Sequence, residues 1–388
     1  MVDSDMSDIY LDYNATTPID PQVGEAMLPF VHGLFGNPSS GHSFGMAARE
    51  GVDAARRQVA SMLGCAVDDL IFTSGGTEAN NHAIRGVVSA YRERGDHIIT
   101  TAVEHPAVTE VCRYLEQYGI RTTYLPVDEH GMVDPQQVED AITPETLLVT
   151  IMHANNEVGT IMPITEIAEI AHRHGVLVHS DCAQSVGKIP VKVDDLGVDL
   201  LSVAGHKLYA PKGIGALYIR PGVELAKLMH GANHEQNRRA GTENVIEMAG
   251  LGKACELIEQ NLADYADHMR AMRDRLEAGL LESGHDARIN GHPDMRLPNT
   301  LSIAFRGVEA DRVLASLPTV AASAGAACHS DEVEVSHVLQ AMNLPTEYAM
   351  GTLRLTAGRF TTADEIDRAV AEITEVVGSL SPAGVAAD

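Results

Sequence analysis

Lys207 and Asp181 are the two residues whose types and positions point most directly to chemistry. Lys207 ends the run Ser202-Val-Ala-Gly-His-Lys207, and Asp181 begins the run Asp181-Cys-Ala-Gln184. A lysine amine forms a Schiff base with an aldehyde, and a carboxylate keeps a pyridine nitrogen protonated so that the ring can accept electrons. Both residues follow apolar runs typical of strands, where α/β proteins bind ligands. The pair predicts a pyridoxal phosphate site, although a His-Lys pair alone is more often an ordinary surface feature.

A glycine-containing turn, Thr73-Ser-Gly-Gly-Thr-Glu-Ala-Asn-Asn81, follows the first clear strand and opens a helix. Glycines such as Gly76 let the backbone approach an anion, and the N–H groups of a helix start favour a phosphate. The loop Arg238–Asn244 could add the hydroxyl of Thr242. A plain capped turn and a solvated loop are the structural alternatives.

Further polar residues follow predicted strands and could surround a flat ring. His105, in Glu104-His105-Pro106, could stack on the ring and move protons. Asn156 and Gln184 could donate to a ring oxygen or, for Asn156, to a substrate carboxylate. Arg354 and Arg359 could clamp a carboxylate in bidentate fashion. A helix-start histidine, an Asx turn and ion pairs with acids are the alternatives.

Cys328 is the candidate nucleophile of the chain. It lies in Ser323-Ala-Gly-Ala-Ala-Cys-His-Ser330, and the acidic stretch Asp331–Val335 follows. Small neighbours and an aperiodic, charged flank predict a mobile, accessible loop, as a travelling nucleophile needs. A protonated His329 could lower the pKa of the thiol. The alternative is a buried cysteine in a tight Gly/Ala packing site.

Alternating strands and helices must position these residues. β-branched or apolar runs predict buried strands at 70–73, 97–100, 122–125, 147–151, 176–179, 200–203 and 214–219, the last possibly antiparallel. Helical patterns lie between them at 78–94, 106–118, 135–142 and 164–174. This alternation predicts an α/β fold with a mostly parallel sheet covered by helices on both faces.

The C-terminal third predicts a second, smaller α+β domain. A long helical pattern over 247–282 leads into strands at 300–304 and 352–356, with helices at 309–317, 336–341 and 363–378. We expect residues 13–255 to form the large cofactor-binding domain. Residues 1–12 and 256–388 would form the small domain that carries the cysteine loop.

Composition restricts the class of protein. The 388 residues carry a formal net charge of −26, which disfavours direct nucleic-acid binding. No secretory signal or membrane span is expected. Five scattered cysteines without a Cys-x-x-Cys pair favour a reducing cytoplasm. No metal is expected, because His172, His174 and His179 fit a solvated helix end better than a metal site.

Together these motifs resemble the cysteine desulfurases of the NifS/IscS type, which are class V, fold-type I pyridoxal-phosphate enzymes. The resemblance runs from about residue 9 to 378. It rests on the segments Leu11–Pro18, Asn37–Ser40, Ser74–Asn81, Glu104–His105, Asn155–Glu157, Asp181–Gln184, His206–Lys207 and Gly358–Thr361.

The resemblance implies a role for each site residue. Lys207 would hold the cofactor and act as base, Asp181 would pair with its ring nitrogen, His105 would stack on it, and Gln184 would contact its ring oxygen. The phosphate would be bound by Gly76, Thr77 and His206, with Thr242 reaching in from the partner subunit of a homodimer. Asn156 and Arg354 would hold the substrate carboxylate, and Cys328 would accept sulfur.

Two positions depart from the family pattern. The family usually has a second serine where this chain has Ala204, so one phosphate contact is missing or is made by a backbone N–H. The cysteine loop reads Gly-Ala-Ala-Cys-His, where Gly-Ser-Ala-Cys-Thr or -Ala is common. The first departure bears on cofactor affinity, and the second on the Cys328 thiol or the choice of sulfur acceptor.

The implied activity is removal of sulfur from L-cysteine, which gives L-alanine and a Cys328 persulfide. Sulfur acceptors could serve iron–sulfur cluster assembly, tRNA or DNA thiolation, or molybdenum-cofactor and thiamine pathways. A selenocysteine lyase or a class V aminotransferase on the same fold remains an alternative, as does a non-catalytic scaffold that kept the fold.

Overall fold

The computed structural model describes residues 8–329 and 332–381, with the backbone alone for 326–329 and 332–334. Its helices are α1 (Pro21–His32), α2 (Ser43–Leu63), α3 (Gly76–Ala90), α4 (Pro106–Glu116), α5 (Pro135–Ala141), α6 (Ile164–Arg173), α7 (Val193–Leu196), α8 (Val245–Leu281), α9 (Ala310–Ser316), α10 (His337–Ala341), α11 (Thr346–Ala349) and α12 (Ala363–Leu380).

The strands are β1 (Ile9–Tyr10), β2 (Leu70–Thr73), β3 (His97–Thr101), β4 (Arg121–Leu125), β5 (Thr146–Thr150), β6 (Leu177–Asp181), β7 (Leu200–Ala204), β8 (Gly215–Ile219), β9 (Ala287–Asn290), β10 (Thr300–Phe305), β11 (Val320–Ala321), β12 (Ser323–Ala324), β13 (Ala326–His329), β14 (Glu332–Val335) and β15 (Thr352–Thr356).

The large sheet has seven strands within the described residues, in the order β2-β8-β7-β6-β5-β3-β4. Its strands from β7 to β4 run parallel, and β8 is antiparallel to both of its neighbours. The prediction of a mostly parallel α/β sheet is confirmed, as is the antiparallel direction of the strand at 214–219. The parallel order brings the carboxyl ends of β3, β5, β6 and β7 to one edge.

Helices cover both faces of this sheet because its strands are apolar on both sides. Successive residues of β2 show the alternation: Leu70 and Phe72 pack with α1, α2, α6 and α8, whereas Ile71 packs with α3 and α4 on the other face. The order of the layers is therefore set by strands that are buried on both sides.

A smaller antiparallel sheet, in the order β12-β15-β10-β9, forms a second core. Its apolar side chains pack with α9, α12 and the last turns of α8. Strand β1 pairs with β11, so the N-terminal segment joins this part of the fold. These elements agree with the predicted smaller α+β unit, while α8 runs through the predicted boundary at 255/256, which stays a prediction.

The prediction of an aperiodic loop around Cys328 is wrong, because the backbone there forms two strands. Residues 326–329 and 332–335 form antiparallel strands, with Cys328 opposite Val333. The period-two pattern Glu332-Val-Glu-Val335 is a strand signal that the acidic composition hides. We call residues 326–335 the cysteine hairpin; Ser330 and Asp331 lie outside the described residues.

Helices α1 and α2 precede the first predicted strand and were not predicted. The described residues contain no helix that is both long and apolar enough to span a bilayer.

Candidate active site

A cavity of about 570 Å³ opens at the edge where the parallel strands end. Ten residues that the sequence predicts for the site line it: Gly76, Thr77, His105, Asn156, Asp181, Gln184, Ala204, His206, Lys207 and Arg354. They come from five different strand ends and from β15 of the small sheet. The topology thus brings together residues that are far apart in the chain.

Lys207 lies in a short 3₁₀ turn that follows β7. Its Nζ donates to the carbonyl oxygens of Asn14, at 2.5 Å, and Ala15, at 2.7 Å. Burial lowers the pKa of Lys207 to about 8; the Arg354 cation adds to this, and Asp181 and Asp12 oppose it. A larger fraction of this amine than of an exposed lysine is therefore neutral near neutral pH, which favours its use as a nucleophile or base.

Asp181 ends β6 as a carboxylate that is 7 % exposed at the cavity wall. Oδ2 accepts from Asn80 Nδ2 at 2.6 Å, and Oδ1 accepts from the Ala183 N–H at 2.9 Å. Asn80 is buried, and its Oδ1 has no partner. Asp181 is thus held in place by two donors and can pair with a cationic ring nitrogen.

The start of α3 forms an anion-binding end of the cavity. Gly75 precedes the helix with φ 148°, a value that L side chains rarely adopt. The N–H groups of Gly76 and Thr77, in the first turn, have no partner within the helix. A Cβ at Gly76 would lie 3.2 Å from Ala204 Cβ, so the turn sits close against the end of β7. This cradle suits a phosphate.

His105 caps α4 with its own side chain. Nδ1 accepts from the Ala107 N–H at 3.0 Å, which places any proton of the neutral ring on Nε2. Burial lowers the pKa of His105; Asp181 opposes this effect, and Lys207 and His337 add to it. His105 therefore caps α4, as the helix-start alternative predicts, and it also lines the cavity, where the lowered pKa favours a neutral ring.

Arg354 lies between this cavity and a second one of about 650 Å³, which His105 and Asn156 also line. Its guanidinium donates to Asp12 Oδ1 at 2.8 Å and to Ser323 Oγ at 2.9 Å, while the buried Nε has no partner. The predicted ion pair with an acid is thus present. It leaves donor capacity for a carboxylate beside Asn156.

The cysteine hairpin begins and ends at the second cavity. Gly325 and Val335 line this cavity, and the Ser336 N–H donates to the Gly325 carbonyl at 3.0 Å, which closes the base of the hairpin. The Ser336 hydroxyl donates to Glu157 Oε2 at 2.5 Å. Cys328 is therefore carried on a hairpin anchored at the edge of the site.

Thr242 is exposed and does not line the cavity in this chain. Its loop is nevertheless docked beside the start of α3, because Arg239 forms an ion pair with Glu78 at 2.8 Å. In the single chain, Thr242 therefore does not contribute to the cavity.

The remaining candidate residues do not line the cavity and have other partners. Arg359 is buried between the rings of Tyr209 and Tyr265 and lies outside the cavity. His172 and His174 bond to Asp199 and Glu139. His179 lies in β6, buried between the hydroxyls of Thr150 and Ser202, so the prediction of a solvated helix end is wrong for this residue. Among the described residues, no cluster of three or more His, Cys, Asp or Glu side chains is arranged to hold a metal.

Three residues in or directly behind the cavity wall escape prediction: Asn14, Asn80 and Lys188. Asn14 lines the cavity and accepts hydrogen bonds from Lys188, Gln184 and Lys207. Both asparagines stand in segments that carry the family resemblance, Leu11–Pro18 and Ser74–Asn81, which is a signal that could have found them. Lys188 follows Gln184 by four residues and has no such signal.

The chain is similar to known proteins over nearly its whole length. The model of the family described as aminotransferase class-V matches residues 9–369. The protein named cysteine desulfurase IscS from Dictyoglomus turgidum is 46 % identical over 375 residues, which cover 96 % of this chain and 95 % of that protein.

Solved structures give the same result. A structure titled NifS-like protein superposes with a TM-score of 0.91 at 36 % identity, covering 96 % of this chain and all of that one. A structure titled SspA in complex with cysteine gives a TM-score of 0.80 at 36 % identity, covering 91 % of this chain and all of that one.

Proposed function

On the premise that this chain belongs to the class-V aminotransferase family and is a pyridoxal-phosphate-dependent cysteine desulfurase, we propose that it moves sulfur from L-cysteine onto Cys328 and releases L-alanine. The observation that carries this proposal is the joint placement of three groups. Lys207 and Asp181 face one cavity, and the cysteine hairpin is anchored at the adjoining one, which shares His105, Asn156 and Arg354 with the first. The relatives favour desulfuration over the aminotransferase, selenocysteine lyase and scaffold alternatives.

The residues present fit pyridoxal phosphate. The free N–H groups at the start of α3 match its phosphate, the buried carboxylate of Asp181 matches its ring nitrogen, and the partly neutral Lys207 matches its aldehyde. The unpartnered Asn80 Oδ1 and Arg354 Nε mark polar groups beside the cavity with capacity to spare. When bound, the cofactor supplies an aldehyde that condenses with amines and a ring that accepts electrons from the substrate carbon.

Each residue around the cofactor has a proposed role. The phosphate would be held by Gly76, Thr77 and His206, and the ring nitrogen by Asp181. His105 would stack on the ring with its neutral imidazole. Gln184 would donate to the ring oxygen, and the backbone near Ala204 would replace the missing serine hydroxyl. Thr242 would complete the phosphate site of a second copy.

Lys207 would also move the proton of the substrate. Its amine, once freed, would accept the proton from the substrate Cα, because burial lowers its pKa to about 8 and so makes the neutral form more accessible than in an exposed lysine. The carbonyl oxygens of Asn14 and Ala15 would then stabilise the resulting ammonium, since they already accept its N–H groups.

Arg354 and Asn156 would hold the substrate carboxylate, with Asp12 fixing the plane of the guanidinium. Cys328 would attack the substrate sulfur as a thiolate. A sulfur–sulfur bond would form and the carbon–sulfur bond would break, with its electron pair staying on the carbon skeleton. The skeleton would take up one proton at Cβ and regain the one held by Lys207 at Cα, and would leave as L-alanine. His105 lines both cavities, and the proton that its neutral ring would carry on Nε2 could serve this exchange.

Replacement of the nucleophile tests the proposal. Cys328→Ser should bind the cofactor with an unchanged visible spectrum and lose sulfide release from L-cysteine in the presence of a thiol reductant. Cys65→Ser is the matched control, since Cys65 does not line either cavity, and it should keep full activity. Undiminished sulfide release from Cys328→Ser would rule out its role.

The assembly we propose is a homodimer. An exposed apolar patch on α1 and the following segment contains Leu28, Val31, Leu34, Phe35, Phe44 and Met46. Phe35 is 76 % exposed, and its ring lies 5.5 Å from that of Phe44. A patch of this kind favours a protein partner, and a second copy would bring the exposed Thr242 to a phosphate site.

The proposal also includes a sulfur-acceptor protein, a cytoplasmic location and the predicted domain boundary at 255/256. A persulfide is a sulfur donor, so a thiol-bearing acceptor for iron–sulfur assembly or nucleic-acid thiolation would take it from Cys328. The described cysteines, Cys65, Cys112, Cys182 and Cys255, are all free thiols, which suits a reducing cytoplasm. Residues 13–255 would hold the cofactor, and 1–12 with 256–388 would carry the hairpin.

A further inference from the structure

Lys188 is a second buried amine that lies behind the wall of the cofactor cavity. It is 4 % exposed and does not line the cavity. Its Nζ donates to Gln184 Oε1 at 2.6 Å and to Asn14 Oδ1 at 2.7 Å. Within residues 8–329 and 332–381, no carboxylate forms an ion pair with it. A buried amine that meets only amide oxygens needs an explanation beyond charge pairing.

These contacts determine which way the Gln184 amide faces. The Lys188 donor requires the oxygen of the amide on its side, and the Asn14 carbonyl, 3.0 Å from Nε2, requires the nitrogen on the other side. A primary amide has two N–H groups, and Asn14 takes one of them. Gln184 lines the cavity, and its second N–H, which has no partner among the described residues, is available to a group bound there.

The Asn14 amide is oriented in the same way. Its Oδ1 accepts from Lys188 and from Asn299 Nδ2, and its Nδ2 donates to Thr300 Oγ1 at 2.9 Å. The backbone oxygen of Asn14 accepts from both Gln184 and Lys207. Lys188 is thus bonded to the side-chain amides of Gln184 and Asn14, and the backbone oxygen of Asn14 is shared by Gln184 and Lys207.

We propose that Lys188 is a positioning residue, which holds the Gln184 amide so that the cavity offers a hydrogen-bond donor to the ring oxygen of the cofactor. The identity of the ligand rests on the proposed function. Without Lys188, the buried Gln184 Oε1 would lose its donor, and the free energy of an unsatisfied buried oxygen would drive the amide to rotate. Burial lowers the pKa of Lys188 well below its usual value, with Lys207 and Arg354 adding to this, and a neutral amine still donates.

Lys188→Met tests the role by spectroscopy of the cofactor-loaded protein. A donor to the ring oxygen favours negative charge there, so its loss should raise the pH midpoint of the visible absorbance band. Cofactor affinity should fall about tenfold, as expected for one lost hydrogen bond in a buried site. Lys192→Met is the control, because Lys192 Nζ bonds to Ser61 O at the exposed surface, and it should change neither quantity.

Gln184→Glu is a second variant that keeps Lys188 and gives it a carboxylate partner. It leaves no N–H for the cavity, so the pH midpoint should rise in the same direction, even if Lys188→Met does not fold. An unchanged midpoint in either folded variant overturns the proposal.

The outcome separates this inference from the proposed function. A wild-type protein that shows no cofactor band contradicts the function. A wild-type band with an unshifted midpoint in Lys188→Met contradicts the role of Lys188 alone, whereas an unshifted midpoint in Gln184→Glu also contradicts the proposed contact of Gln184 with the ring oxygen.

Discussion

The Lys207 amine shows how burial prepares a residue for chemistry. Its neighbours are carbonyl oxygens and the Arg354 cation, and no carboxylate forms an ion pair with it within the described residues. The resulting pKa of about 8, below the ordinary 10.5, means that the amine gains its nucleophilic form as the pH rises through about 8.

The rate at which the apoprotein takes up pyridoxal phosphate should therefore rise with pH and level off above a midpoint near 8. Stopped-flow absorbance after mixing measures this rate. Lys207→Ala should form no band that depends on this amine. A rate midpoint near the ordinary pKa of a lysine would contradict the assigned environment.

Ala204 is the residue at which the phosphate end falls short of the family pattern. A hydroxyl at this position would lie against the start of α3, because Ala204 Cβ is close to Gly76. Ala204→Ser should tighten cofactor binding by about tenfold through one charge-assisted hydrogen bond.

Fluorescence or absorbance titration of the apoprotein measures this affinity. Ala183→Ser, which stands beside Asp181 instead, should show no such gain. Weaker binding by Ala204→Ser would mean that the site has no room for the hydroxyl.

Residue types with distinctive chemistry could be predicted from the sequence, and residues that act through geometry could not. Lys207, Asp181 and His105 can be recognised by their residue type and by their position after predicted strands. Asn14 and Lys188 do not, because an asparagine or lysine gains its role only from partners that lie far away in the chain, such as Thr300.

At the scale of elements, Arg359 joins three segments around the turn that carries Lys207. Its guanidinium lies 4.1 Å from the ring centroids of both Tyr209 and Tyr265, and 3.8 Å from Asp20. Tyr209, two residues after Lys207, has φ 67°, and its hydroxyl accepts from the Arg359 N–H at 2.7 Å. These contacts of Arg359 therefore hold Tyr209, whose backbone is left-handed, next to the site.

Arg359→Lys should lower the free energy of unfolding by about 1–3 kcal/mol, because an ammonium cannot stack on two rings at once. Chemical denaturation of the apoprotein measures this loss. Arg275→Lys, at an exposed pair with Asp367, should leave the stability unchanged. Equal stability of Arg359→Lys and wild type would show that the ring contacts contribute nothing.

The strands of the large sheet and strands β10 and β15 were predicted within one or two residues, because they are apolar runs between turn residues, whereas β1, β9, β11 and β12 were not predicted. The cysteine hairpin was missed because acidic side chains on Glu332–Val335 conceal a period-two pattern. Helices α1 and α2 escaped prediction, although their boundaries carry cap residues such as Asp20 and Gly64.

At the scale of the whole molecule, the site depends on contacts between the two ends of the chain. Asp12 bonds to Arg354, and the Asn14 N–H donates to Thr356. No local pattern in the sequence could predict such pairs, since they arise only when the small sheet closes on the large one. The mostly parallel sheet itself could be predicted, because the alternation of strands and helices requires it.

The apolar patch on α1 provides the test of assembly. Phe35→Asp should shift the protein from dimer toward monomer in light scattering at micromolar concentration, because it places a charge in the proposed interface. Tyr118→Asp alters a side chain that is 63 % exposed and outside the patch, and it should leave the dimer intact. A Phe35→Asp protein that remains fully dimeric would place the interface elsewhere.

The central claim is that Cys328 receives the sulfur of L-cysteine through a site built on Lys207. Mass spectrometry of peptides from the cofactor-loaded protein, treated with L-cysteine in the absence of reductant, tests it most directly. The account predicts one added sulfur atom on the peptide that contains Cys328, release of L-alanine, and neither event in Lys207→Ala. Sulfur found on another cysteine, or alanine formed without any sulfur on Cys328, would contradict it.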